Sequence, residues 1–332
     1  MKIGVVGVGR IGTEHARTLH DHPDVELVVT DADLVRAEQV ADKLGVPSVA
    51  SVDELLRTPL DGLVIAAATK AHPQLICAGV DAGLPVFCEK PVASDVPGTR
   101  QVADHVRRAG GTVQVGFMRR FDPGYRTARE ALRSGVLGEL RRVHVVTADP
   151  RPPSPVYVPI SNGIYRDLHI HDFDAVRWVT GREVREVFAM GKNRGDPMFA
   201  RAGDVDEATT MLRLDDDTLV TMHGSRYNGA GYDVRMELAG TKDTWVVGLD
   251  QRIPLHSAEP GADIPSAHPW PGFWPRFTPA YRAEINGFVD LVRGGGESPC
   301  TVDDALAALV VAEAAARSRR EHRPVHLVEM GS

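Results

Sequence analysis

The chain begins with a short apolar run that feeds a glycine-spaced turn, Ile3-Gly4-Val5-Val6-Gly7-Val8-Gly9-Arg10-Ile11-Gly12. Few local patterns restrict a fold more than a strand that runs through G-x-G-x-x-G into a helix. Gly7 permits the tight turn out of the strand, Gly9 lets a pyrophosphate approach the backbone, and Gly12 lets the helix lie close on the sheet. N–H groups at a helix start are free, and the helix dipole favours negative charge there. A second apolar run, residues 25–30, ends at Asp31. A carboxylate at that spacing accepts hydrogen bonds from the ribose hydroxyls of an adenosine. It also repels a 2′-phosphate, and no arginine follows before Arg36. NAD is therefore expected as the cofactor, with NADP disfavoured.

The alternation continues through the first third. Strands are expected over residues 3–6, 25–29, 62–67, 86–88 and 112–115, and helices over 13–21, 35–44, 52–57, 74–82 and 96–109. This order implies a parallel sheet covered on both faces. Beyond residue 140 the pattern becomes strand-rich, with candidates at 142–148, 186–191, 208–214, 219–225, 232–239 and 245–248 and a hairpin turn at Asp215-Asp216-Asp217. That half reads as an antiparallel or mixed sheet with helices on one face. Residues 150–159 and 254–279 read as long loops, and 280–292 and 302–319 as closing helices. A chain of 332 residues suggests two domains. They are expected at 1–121, binding NAD, and at 122–332, binding substrate and building the oligomer, with the closing helices free to pack back at the junction. The fold class is thus α/β: a doubly wound Rossmann sheet followed by an α+β domain with a large, mostly antiparallel sheet.

A net charge of −7 argues against a nucleic-acid or anionic-membrane partner. No apolar run is long enough to span a bilayer, and the apolar start reads as a sheet strand rather than a leader. Cys77, Cys88 and Cys300 lack metal-ligand spacing and read as buried thiols of a cytoplasmic protein. The histidines show no zinc pattern, so no metal is expected.

Two segments carry candidate chemistry. Glu89-Lys90-Pro91 follows the fourth strand, at the carboxyl end where open α/β sheets bind ligands. Proline keeps the lysine backbone extended, so the ammonium can be aimed at a reacting oxygen. By itself such a lysine is also an ordinary loop residue. The second segment is Tyr165-Arg166-Asp167-Leu168-His169-Ile170-His171-Asp172-Phe173-Asp174. On one continuous helix, Asp167, His171 and Asp174 would share a face. A carboxylate one turn from a histidine can orient its ring for general-base work. His169 would point elsewhere and serve structure. The same spacing also occurs on ordinary polar helix faces. Small residues end the third strand at Ala66-Ala67-Ala68-Thr69, as expected where backbone nears a ligand. His72 either borders the nicotinamide ribose or simply opens a helix.

Together the glycine turn, Glu89-Lys90-Pro91, Gly116-Phe117-Met118-Arg119-Arg120-Phe121-Asp122-Pro123 and Asp167-x-x-x-His171-Asp172-Phe173-Asp174 resemble the glucose–fructose oxidoreductase/inositol dehydrogenase (Gfo/Idh/MocA) family. The resemblance spans essentially the whole chain and is closest to the inositol 2-dehydrogenase branch. It implies an NAD-dependent oxidation of a cyclic polyol. Lys90, Asp167 and His171 would form the catalytic set. Gly7, Gly9, Arg10, Ile11, Gly12, Asp31, Thr69, His72, Glu89 and Lys90 would hold the cofactor. Met118, Arg119, Asp174 and Tyr232 would line the polyol pocket. The resemblance further implies a homotetramer built on the second domain's sheet. Asn162 before Gly163 and Leu168-His169 depart from the family pattern, and residues 151–159 match nothing in it. Three readings stay open: an inositol dehydrogenase, a same-fold enzyme for an aldose, amino-inositol or keto-sugar, and a non-catalytic NAD-binding regulator.

Overall fold

The computed structural model describes residues 1–262 and 268–331. The chain divides into two compact units, Met1–Phe121 with Pro279–Ala307, and Asp122–Thr278 with Ala308–Ser332.

The first unit runs β1 (Lys2–Val6), α1 (Arg10–His20), β2 (Glu26–Thr30), α2 (Leu34–Leu44), α3 (Val52–Arg57), β3 (Gly62–Ile65), α4 (His72–Asp81), β4 (Val86–Glu89), α5 (Val96–Ala109) and β5 (Val113–Gly116). The sheet order is β2-β1-β3-β4-β5, and every pair is parallel. Ile3, Val5, Val29, Val64 and Phe87 are buried in one cluster with Ala16 and Leu19 of α1 and with Ile285, Phe288 and Val289. Strands apolar on both faces are what a sheet covered on both sides requires. The strand order changes direction at β1, so the loops after β1 and β3 flank the point where such sheets bind ligands.

Some boundaries differ from the sequence reading. α1 begins at Arg10 rather than Thr13, directly after Gly9 as N-cap. α4 begins at His72 rather than Gln74, because Pro73 sits in the first turn, where its missing N–H costs nothing.

The second unit opens with α6 (Pro123–Arg133), a helix absent from the sequence reading. Its signal is local: the Asp122 carboxylate accepts hydrogen bonds from Gly124 N (2.9 Å) and Tyr125 N (3.3 Å), and Pro123 follows the cap. Then come β6 (Leu140–Ala148), α7 (Ile164–Asp167), α8 (Ile170–Thr180), β7 (Val184–Lys192), α9 (Met198–Arg201), β8 (Glu207–Leu214), β9 (Leu219–Ser225), β10 (Asp233–Gly240) and β11 (Thr244–Val247). The chain ends with α10 (Phe273–Val292), α11 (Val302–Glu321) and β12 (Val325–His326). The sheet order is β11-β10-β6-β9-β8-β7-β12. Only β6 and β9 pair in parallel, so the sheet is mostly antiparallel. Along β8, Ala208, Thr210, Leu212 and Leu214 are buried while Thr209, Met211 and Arg213 face out. This alternation marks a sheet with one covered face.

The expected loop over 254–279 is corrected. Residues 263–267 lie outside the described residues, and α10 already starts at Phe273 with Pro279 inside it. Buried Phe277 packs edge-on to Tyr232 and anchors the turns before the proline. Of the three thiols, Cys88 and Cys300 are buried, but Cys77 is only half-buried.

Candidate active site

The nucleotide-binding features lie in the first unit. Gly7 adopts φ +89°, and a Cβ there would meet Ala67 N at 2.5 Å, so the loops after β1 and β3 touch through the missing side chain. A Cβ on Gly12 would collide with the Gly7 carbonyl. Gly9 differs, since no protein atom stands within 4 Å of where its Cβ would be. That open cradle sits at the start of α1, whose N-cap makes no side-chain bond to the first-turn N–H groups. Arg10 is exposed and Ile11 half-buried beside it.

Asp31 is buried, and its Oδ2 accepts Val8 N at 2.7 Å, locking the glycine turn to β2. Its Oδ1 accepts Asp33 N at 2.9 Å and Arg36 Nη1 at 3.3 Å. The sequence distance to Arg36 is therefore misleading: the first turn of α2 folds the guanidinium back onto both Asp31 and Asp33. A cleft of about 370 Å³ lies here, lined by Val8, Gly9, Arg10, Arg36 and Lys43 among others. An anion-favouring helix start, a glycine with room in front and a carboxylate beside it fit an adenine dinucleotide.

Thr69 opens a short 3-10 turn after β3. His72 is buried; its Nδ1 lies 2.7 Å from Pro91 O and its Nε2 2.9 Å from Ala67 O. The ring therefore ties the β3 loop to the segment after β4. Glu89 is the last residue of β4, and its carboxylate meets buried His15 Nε2 of α1 at 2.7 Å. Sequence reading missed His15, whose partner lies far away in the chain. Lys90 follows directly, half-buried, with a cis peptide to Pro91. Neighbouring Cys88 is fully buried; burial and then the Glu89 charge push its thiol well above the ordinary range, leaving it inert. Met118 and Arg119 lie in a 3-10 turn just past β5, and both are buried.

The second unit holds the histidine cluster, and here one expectation is corrected. Asp167 and His171 do not share one continuous helix: α7 ends at Asp167 and α8 begins at Ile170. The His169 N–H reaches back five residues to Ile164 O, a wider turn that breaks the register assumed for Asp167, His171 and Asp174. His169 lies at this break. It is fully buried, its Nδ1 meets Asp172 Oδ2 at 2.9 Å, and Asp172 also accepts Thr147 Oγ1 at 2.7 Å. Its ring lies so close to β9 that a Cβ on Gly224 would clash with Nε2. His169 is thus a core residue, as expected, while His171 is half-buried in the first turn of α8. Asp174 on α8 and Tyr232 before β10 are both buried.

Asp167 has partners that sequence reading missed. Its Oδ2 accepts Arg226 Nη2 at 2.8 Å, and its Oδ1 accepts the Tyr157 hydroxyl at 2.8 Å. Arg226 is buried and also donates to Asp149 Oδ2 at 3.2 Å. Burial works against the Arg226 charge, but Asp167 and then Asp149 outweigh it and hold the guanidinium above its ordinary value. Asp204 caps α7 through Ile164 N at 3.0 Å; burial pushes its carboxyl up, and that N–H works against the rise. Gly163 has φ +88° beside Asp204, so the glycine after Asn162 is needed for this cap.

Residues 1–117 match the Gfo/Idh/MocA family model described as an oxidoreductase family with an NAD-binding Rossmann fold, and residues 125–246 match the family's C-terminal domain. The chain is 40% identical over 321 residues to a myo-inositol dehydrogenase of Streptomyces leeuwenhoekii, covering 96% of this chain and 97% of the relative. It is 33% identical over 333 residues to a myo-inositol 2-dehydrogenase of Thermotoga maritima, covering 99% of each. Among solved structures it resembles a scyllo-inositol dehydrogenase from Lactobacillus casei with bound NAD(H) and scyllo-inositol, at TM-score 0.89 and 26% identity over 99% of both chains.

Proposed function

The chain belongs to the Gfo/Idh/MocA oxidoreductase family, and on that premise we propose that it is an NAD-dependent dehydrogenase oxidising a secondary hydroxyl of an inositol or a close cyclic polyol. The observation that carries this reading is an open glycine turn at Gly9 with buried Asp31 beside it, in a chain that matches a myo-inositol dehydrogenase over 96% of its length.

When bound, the nicotinamide accepts the hydride. His171 takes the proton from the oxygen of the hydroxyl whose carbon gives up the hydride. Asp167 holds the His171 ring and supports its charged form. Lys90 donates to the oxygen as negative charge develops there, an effect strongest where water is excluded. The glycine turn with Arg10 and Ile11, together with Asp31, Thr69, His72 and Glu89, positions the cofactor. Met118, Arg119, Asp174 and Tyr232 supply polar and apolar contacts to the ring. The cofactor preference rests on Asp31, and the expected assembly is a homotetramer.

The test is kcat/KM over a panel of inositols, aldopyranoses and amino-inositols with NAD and with NADP. The reading expects an inositol with NAD to give the highest value. A better aldose, a preference for NADP, or no turnover at all would each contradict it.

A further inference from the structure

The segment 151–159, which matched no family pattern, brings a side chain to the candidate site. A turn in which Tyr157 N donates to Ser154 O at 2.9 Å leads into a short 3-10 turn, Val158–Ile160, in which Ile160 N donates to Tyr157 O at 3.0 Å. Val158 is buried in a small cluster with Met198 and Phe199 of α9. Its neighbours face outward: Val156 is 82% exposed and Tyr157 40%. Buried Val158 anchors the loop, and the hydroxyl of adjacent Tyr157 donates to Asp167 Oδ1 at 2.8 Å.

We propose that Tyr157 is a positioning residue for the dehydrogenase reaction, holding one carboxylate oxygen of Asp167 while buried Arg226, itself braced by Asp149, holds the other. The arrangement fixes the carboxylate plane from two sides. A ring oriented by Asp167 inherits that plane, so loop 151–159 belongs to the catalytic apparatus. This inference rests on the proposed pairing of Asp167 with His171. Charged groups on these elements include Arg226, paired with Asp167 and Asp149, Asp204 at the start of α7, and Asp172 and Asp174 on α8. Asp172 is engaged by His169 and Thr147.

Tyr157→Phe removes the hydroxyl and keeps the ring and the Val158 anchor. Three readouts apply. The thermal midpoint is expected to stay at the wild-type value. The kcat is expected to fall roughly ten-fold, the order set by one hydrogen bond to a charged group, with KM for NAD unchanged. The His171 ring titration, followed by NMR in the protein without substrate, is expected to move up by about half a pH unit. A carboxylate that has lost a donor favours the imidazolium more strongly. Arg226→Lys keeps a charge but loses the two-pronged brace, and is expected to move the titration the same way. An unmoved titration in Tyr157→Phe overturns the proposal, and so does a kcat loss accompanied by a fallen thermal midpoint. If wild type oxidises no polyol, the dehydrogenase reading fails, while the titration still decides whether Tyr157 acts on His171 through Asp167.

Discussion

At the scale of single residues, the account rests on a few side chains whose chemistry cannot be exchanged. Gly7 and Gly12 are fixed by backbone contact, since a Cβ on either would overlap a neighbouring main-chain atom. Gly9 has no such contact, so its constraint comes from whatever approaches it. Lys90 makes the clearest prediction. Methionine has similar length but no charge, so Lys90→Met is expected to lower kcat by ~10²–10³, the usual worth of one preorganised donor. NAD binding, proposed above to rest largely on the glycine turn and Asp31, is expected to persist in equilibrium titration. Near-normal turnover in the variant would return Lys90 to the status of a loop residue.

At the scale of elements, the α7–α8 junction separates the two histidines, with His169 fully buried and the proposed base His171 half-buried. His171→Ala is expected to reduce kcat/KM by ~10²–10⁴ and to remove the acidic limb of its pH profile. His169→Ala is expected to keep that limb but to lower stability by about 1–3 kcal/mol, because Asp172 loses a buried partner. An acidic limb lost with His169 and kept without His171 would reverse the assignment. The cap of α7 gives a second prediction. Burial raises the Asp204 carboxyl, so its contribution to stability is complete below the unfolded value, about 4, and is lost as pH rises through the higher folded value. Asp204→Asn keeps an oxygen for Ile164 N–H without the charge. Denaturation midpoints should therefore favour the variant increasingly as pH rises from about 4 to 8. A constant difference across that range would contradict the sign. These elements also show where sequence reading succeeds and stops. The glycine turn, the β4 end at Lys90 and the strand over 208–214 are local patterns, and they are legible in the sequence. The signal for α6, an aspartate cap followed by proline, was present but went unread. The break after Asp167 is not legible from local spacing, and the packing of His169 at that break against Gly224 joins residues far apart in the chain. The Arg226 bridge joins residues distant in sequence through sheet register, which no local spacing encodes.

At the scale of the whole molecule, no helix among the described residues is long and apolar enough to cross a membrane. Under the proposed homotetramer, the outward face of the seven-stranded sheet is a candidate surface for association. Met211 is 49% exposed there, cross-strand from Phe188, with exposed Leu219 on the next strand. Apolar side chains gathered on an open sheet face suit association of copies. Met211→Glu combined with Leu219→Glu is expected to shift light-scattering mass from tetramer toward smaller species; a wild-type monomer would remove the proposal. In the proposed reaction, this chain moves hydride from a polyol carbon to NAD while His171 takes the hydroxyl proton. The direct measurement uses myo-inositol and scyllo-inositol deuterated at every ring carbon, with unlabelled NAD, and follows the reduced cofactor by mass spectrometry. The account predicts reduced cofactor carrying one deuterium with wild type, and its near-complete loss with His171→Ala. Reduced cofactor without deuterium, or none from either inositol, would contradict it.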